Sequence, residues 1–196
     1  MLDAARGDQY ESLIVLAVST GARLGEALGV KWADVDLVRR QMRIDKSLQR
    51  IRSQGLVLSE TKTRRGRRTF ARPAIAAEAI RRRQVQQREQ RRAFGPGWHD
   101  DELVFTTSRG RPVDARNVQR SFRPMVRKAK LPRMRFHDLR HSCASLLLTH
   151  GVAPRVVKET LGHSRIYVTM DTYTHVMPAL QREAADAIDR SLAVER

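Results

Sequence analysis

Cysteine and acidic charge are both scarce in this chain, and each shortage narrows the answer. One cysteine, Cys143, stands among 196 residues, so no internal disulfide forms and a disulfide-stapled scaffold is excluded. Its neighbours Leu139, Leu146 and Leu147 mark it as a small buried hydrophobe, which suits a reducing cytoplasm. No apolar run of about 18 residues, no signal-peptide core and no terminal lipidation motif is present, so the sequence reads as neither membrane-spanning nor exported. Acidic residues number 21 against 38 Lys and Arg, a net charge of +17 that far exceeds what solubility requires. Such an excess points to a polyanion as partner, with nucleic acid first among the candidates.

With 41% hydrophobic residues in this length, the chain supports one well-packed domain and is short for two. The stretch QYESLIVLAVSTGARLGEALGV predicts a helix from about Tyr10 to Thr20, stopped by Gly21, with a second helix starting near Ala22 and Arg23 in its first turn. From Gln41 to Thr69 the pattern changes to β-type segments, QMRIDKSLQ, GLVLSET and RRTFA, separated by turns at Ser53-Gln54-Gly55 and near Gly66. These predict a small antiparallel three-stranded sheet. The remainder predicts helices over about 75–93, 114–129 behind Asp114 as N-cap, 136–149 closed by Gly151, 154–161, 165–174 and 178–193. The fold class expected is therefore α+β, mainly helical.

Two segments are rich in arginine but differ in pattern. In EAIRRRQVQQREQRRAF the basic residues fall all round the helix, which predicts a solvated surface helix with no site. In VDARNVQRSFRPMVRKAK, Arg116, Arg120, Arg123 and Arg127 recur at spacings of four, three and four beside an apolar stripe of Val118, Phe122, Met125 and Ala129. One face packs and the other is cationic, so phosphate contact by these four arginines is the favoured reading over a plain solvated face. Pro124 within this helix predicts a kink or an early end.

The densest local signal is RFHDLRHSCASLLLTHG. Phe136, Leu139, Cys143, Leu146 and Leu147 form an apolar stripe, and His137 and Arg140, at i and i+3, share a face beside it. Pairing of Arg140 with Asp138 is the plainer alternative. His137 and His141 at i and i+4 resemble half a zinc site, but Asp138 stands where the metalloprotease pattern needs Glu, and no metal is expected. In TGARLGEALGV, Arg23 and Glu26 are three residues apart, either as a simple helical ion pair or with Glu26 orienting Arg23 toward an anion.

The SETKTRRGRR stretch carries a single lysine, Lys62, amid arginines. A proton donor must give up its proton, which lysine does when its surroundings lower its pKa and arginine does not. In LGHSRIYVTMDTYTH, Gly162 ends a helix and leaves His163 at a turn, ten residues before Tyr173. Tyr167, between Ile166 and Val168, reads as packed, whereas Tyr173 lies between Thr172 and Thr174 in a less apolar setting. A phenol with pKa of ~10 is about 0.1% ionised at neutral pH, so Tyr173 acts as a nucleophile only where other groups activate it and stabilise what it attacks.

Taken in order, TGARLGEAL, TKTRRGRR, HDLRHSCAS, LGHS and TMDTYTH resemble the motif series of the tyrosine recombinases, also called the phage integrase family. Each is short, but together they span nearly the whole chain and match the family's C-terminal catalytic domain. The resemblance implies that Arg23, Lys62, His137, Arg140, His163 and Tyr173 form the active site, with Glu26 in support. It implies site-specific recombination of double-stranded DNA through a 3′-phosphotyrosine, with no metal, ATP or other cofactor, in a cytoplasmic protein of phage or prokaryotic origin. Assembly of four protomers on two duplexes is implied, with an accessory directionality factor as a further partner.

The less basic terminal segment, about 178–196, carries Leu180, Ala184, Ile188 and Leu192 on one face. It either packs on its own core or docks on a neighbouring protomer. The family's N-terminal DNA-binding domain has no counterpart within this chain, so a fragment or truncated relative is expected, binding DNA weakly and with strong salt dependence. A type IB topoisomerase and a non-catalytic DNA-binding regulator are the competing readings. The second leaves the order of Arg, Lys, His and Tyr unexplained.

Overall fold

The computed structural model describes residues 1–61, 67–71, 73–162, 185–186 and 188–192. Lys62, His163, Tyr173 and the expected helix over 165–174 lie outside the described residues, as does most of the terminal segment.

The apolar run LIVLAV has no polar face to turn to water, so its helix becomes the centre of the molecule. Helix α1 is Leu2–Ala5, and this central helix, α2, is Glu11–Thr20, followed by α3 at Leu24–Leu28. Helices α4 (Ala74–Phe94), α5 (Ala115–Lys128), α6 (Asp138–Thr149) and α7 (Pro154–Leu161) complete the helical part. Helix α2 packs against α4 and α6, and α6 in turn carries α7. The main core includes Leu13, Leu16, Leu28, Met42, Ile80 and Phe122. A separate, smaller cluster of Cys143, Ala144, Leu148, Val157 and Leu161 joins α6 to α7.

The expected β region is present and antiparallel, but it divides into two sheets. Strands β1 (Val35–Asp36), β2 (Gln41–Ile44) and β5 (Arg68–Ala71) form a three-stranded sheet in the order β1-β2-β5, while β3 (Lys46–Ile51) and β4 (Gly55–Glu60) pair as a hairpin. The segment expected as one strand changes partner at Asp45: Ile44 lies opposite Arg68, whereas Lys46 lies opposite Glu60. The Asp45 carbonyl accepts from the Thr61 N–H at 2.8 Å, which joins the two sheets at the crossover. Within β2 the side chains alternate, with Met42 and Ile44 buried and Gln41 and Arg43 exposed.

Three local expectations are revised. Arg23 precedes α3 in extended conformation as its N-cap rather than lying within the first turn. Leu146, expected in the apolar stripe of α6, is 54% exposed. Arg83, expected on a solvated helix, is buried. It donates to the Val104 carbonyl at 2.9 Å, to the Thr106 carbonyl and hydroxyl, and to Gln86 and Gln90. Burial pushes its pKa down to about 10, and neutral acceptors rather than a carboxylate satisfy it. Elsewhere α5 follows the expectation, with Asp114 accepting from the Arg116 N–H at 2.9 Å. The helix continues through Pro124 to Lys128 rather than ending early.

Candidate active site

Gly21 closes α2 in the left-handed conformation, with φ of 64°. A Cβ there would stand 2.1 Å from Leu161 Cδ2, so the same residue that turns the chain also admits α7. Four residues on, a Cβ at Gly25 would stand 2.6 Å from Ser47 Oγ and 2.9 Å from the Leu48 carbonyl, which explains how α3 lies directly on β3. Arg23 falls between these two close approaches, and its position follows from both.

Glu26 holds Arg23 from below. Its Oε2 accepts from the Arg23 backbone N–H at 3.0 Å and its Oε1 from Arg23 Nη1 at 2.7 Å. The carboxylate is almost wholly buried, while the Arg23 side chain is 44% exposed. Among the described residues Nη1 makes the one hydrogen bond of that guanidinium, so its remaining N–H groups face outward. The ion pair read from the i, i+3 spacing is thus an anchored, outward-facing cation.

Arg140 is brought to the same place from α6. Its buried Nη1 donates to the Gly21 carbonyl at 2.7 Å, across 119 positions of sequence. The plainer pairing with Asp138 does not occur, because Asp138 accepts instead from the Arg135 N–H at 2.6 Å and from its guanidinium at 3.3 Å. Burial and the charge of Arg23 push the Arg140 pKa down to about 10, with Glu26 opposing the shift, and the group remains a cation at neutral pH. His137, at the start of α6, has its pKa held below the ordinary value by desolvation and by the charges of His141, Arg140 and Arg23, against a smaller opposite effect of Asp138. The His137 and His141 rings meet edge to face, with centroids 5.3 Å apart.

A residue that sequence reasoning missed completes this network. Arg68, at the start of β5, donates from Nη2 to Glu26 Oε2 at 2.9 Å and from Nε to the Thr160 carbonyl at 3.1 Å. Its side chain is 8% exposed. Burial raises the cost of the Glu26 charge, but the charge of Arg68 and the hydrogen bonds from Arg68 and Arg23 together hold this carboxyl below its ordinary range. The available signal was register: Arg68 stands opposite the buried Ile44.

Of the six expected active-site residues, the described structure brings together Arg23, His137 and Arg140, with Glu26 in support. Lys62, His163 and Tyr173 lie outside the described residues. The described chain reaches Thr61 and resumes at Arg67, and α7 ends at Gly162, in the left-handed conformation with φ of 68°. Among the described residues, no three His, Cys, Asp or Glu side chains cluster in a way that would hold a metal ion.

Arg123, on the cationic face of α5, shares a cleft with His137. Arg116, Arg120, Arg123 and Arg127 are all exposed, and none forms an ion pair among the described residues. This cleft, of about 510 Å³, runs between α5 and the start of α6, with Arg123, Arg133, Arg135 and His137 around the partly buried Met134 and the buried Phe122 and Phe136. The two phenyl rings pack edge to face at 5.4 Å. No helix among the described residues is long and apolar enough to cross a membrane.

The model of the phage integrase family matches residues 3–179. A XerC-like tyrosine recombinase of Caldanaerobacter subterraneus subsp. tengcongensis is 30% identical over 95% of this chain and 51% of its own length. An integrase of Streptomyces ambofaciens is 34% identical over 94% of this chain and 49% of its own. The chain therefore spans about half the length of the curated relatives it matches. Among solved structures, the Tn1549 transposon integrase in complex with transposon right end DNA superposes with a TM-score of 0.78 at 23% identity, over 94% of this chain and 62% of that one. XerA recombinase superposes with a TM-score of 0.72 at 19% identity, over 93% of this chain and 61% of that one.

Proposed function

The chain belongs to the phage integrase family, the tyrosine recombinases, and on that premise we propose that it is the catalytic domain of a site-specific DNA recombinase serving a mobile element. One observation carries the reading: Arg23 and Arg140, far apart in sequence, converge with His137 around Gly21 and Glu26. Two guanidiniums at one place are suited to the non-bridging oxygens of a phosphodiester. They bind most strongly as charge accumulates on the pentacoordinate phosphorus, and loss of one such donor costs on the order of 100- to 1000-fold in rate.

In the reaction proposed, the Tyr173 oxygen forms a bond to phosphorus while the bond from phosphorus to the 5′ oxygen breaks. Lys62 gives the departing oxygen its proton, and His137 and His163 hydrogen-bond the phosphate and assist removal of the phenolic proton. The 3′-phosphotyrosyl bond conserves the energy for rejoining, so neither ATP nor a metal is needed. The exposed arginines of α5 hold the flanking DNA backbone, which the cleft beside His137 extends toward the reacting phosphate.

Strand exchange requires several protomers on two duplexes, and we assign the terminal segment to contacts between them. Residues 185–186 and 188–192 are helical, and Ile188 and Leu192 are 59% and 70% exposed, which favours a neighbouring protomer over the chain's own core. Such a protein works in the cytoplasm, on chromosomal or element DNA.

The test is covalent trapping on nicked duplexes tiled across the DNA that flanks its coding sequence. The unaltered chain forms a protein–DNA adduct, Tyr173→Phe abolishes it and Tyr167→Phe leaves it. Adduct formation by Tyr173→Phe overturns the assignment. Recombinant junctions as product, rather than relaxed circles, separate this reading from a topoisomerase.

A further inference from the structure

We propose that Arg68 is a positioning residue for strand transfer, setting the direction of Arg23 through Glu26 while tying the strand that returns from Lys62 to the end of α7. This rests on the recombinase reading above and adds a residue to it. Glu26 divides its two oxygens: Oε1 takes Arg23 Nη1, and Oε2 is shared between the Arg23 backbone N–H and Arg68 Nη2. The orientation of that buried carboxylate decides where the Arg23 guanidinium points, and Arg68 is its side-chain partner at the oxygen that the Arg23 guanidinium does not take. With the contact to Glu26 gone, the carboxylate is free to rotate toward Arg23 and draw the exposed guanidinium inward.

The second contact extends the same argument to α7. Arg68 Nε donates to the Thr160 carbonyl, 92 positions away, three residues before the expected catalytic His163. Arg68 also opens β5, six residues after Lys62. One planar side chain thus joins β5 to both α3 and α7. Two donors pointing in different directions from a rigid plane are needed for this, which lysine does not provide. At 8% exposure this guanidinium is a wall of the site and not a further contact for DNA.

The experiment measures single-turnover adduct formation by the full chain on a nicked duplex, for the unaltered protein, Arg68→Lys, Arg68→Met, Arg23→Ala and the Arg23→Ala, Arg68→Met pair. DNA affinity and unfolding midpoint are measured alongside. Arg68→Met slows adduct formation by about 100-fold with DNA affinity unchanged, the scale expected when a reacting group is displaced by about an ångström. Arg68→Lys, which keeps the charge, is slowed comparably. In the Arg23→Ala background the second substitution adds less than about threefold, because the group it positions is gone.

Losses that multiply in the double variant overturn the inference in favour of a general structural role. If Arg68→Met fails to fold, Arg68→Lys decides, and adduct formation at the unaltered rate overturns the inference. Adduct formed equally fast by the unaltered chain and Arg68→Met overturns it while leaving the recombinase reading standing. The absence of adduct from the unaltered chain overturns that reading, and this one with it.

Discussion

Arg140 Nη1 donates to the carbonyl oxygen of Gly21 at 2.7 Å, so Arg140 is anchored to the backbone turn that presents Arg23. The two cations are therefore set by one piece of backbone, and a disturbance of Gly21 reaches both. It also reaches α7, through the close approach of Leu161.

Gly21→Ala is expected to destabilise the protein by about 2–4 kcal/mol, combining the strain of a left-handed backbone with the displacement of Leu161. Urea denaturation followed by circular dichroism measures it. Adduct formation by the folded fraction should fall as well, since the Arg140 anchor shifts with the turn. An unfolding midpoint equal to that of the unaltered chain contradicts the packing argument.

The recognisable part of this site was the part with local spacing. Arg23 and Glu26 stand three apart, and His137 and Arg140 likewise, so each pair was legible as a shared helical face. The Asp114 cap and the glycine stops at Gly21 and Gly162 were legible for the same reason. Arg68 was not, because in a run of arginines only the partner strand distinguishes the buried one, and that partner lies across the sheet. Arg83 was hidden similarly: arginines all round α4 read as solvated, and the acceptors that bury it come from the Val104–Thr106 segment, remote in sequence. The division of the β region at Asp45 depends on which segment returns to pair, which alternation along one strand does not encode.

Glu26→Gln tests the electrostatics of the buried network. The folded pKa of Glu26 lies below its ordinary 4.5, so its contribution to stability is complete above about pH 4.5 and is lost as pH falls through the lowered folded value. At pH 7 the substitution should cost about 3–5 kcal/mol, by leaving Arg68 and Arg23 without their counter-charge. Below pH 4.5 the gap between the two proteins should narrow. Parallel unfolding midpoints from pH 7 down to pH 3 would show that Glu26 does not titrate as described.

The arginine face of α5 makes a prediction in salt rather than in sequence. If Arg116, Arg120, Arg123 and Arg127 each neutralise one phosphate, replacing any one by Gln lowers the slope of log K against log salt by about 0.9. Fluorescence anisotropy between about 50 and 200 mM salt measures this. An unchanged slope removes that arginine from the DNA-contacting set.

The small cluster of Cys143, Ala144, Leu148, Val157 and Leu161 has a kinetic meaning as well as a structural one. Helix α7 is mounted on this cluster rather than on the main core, and among the described residues Leu161 packs over Gly21 and the Thr160 carbonyl accepts from Arg68. A helix with so little buried surface opens at lower free energy than α2, and its amides exchange with solvent first. Helix α7 can thus open and close while α2, α3 and the two arginines stay folded, so the two parts of the molecule differ in lifetime.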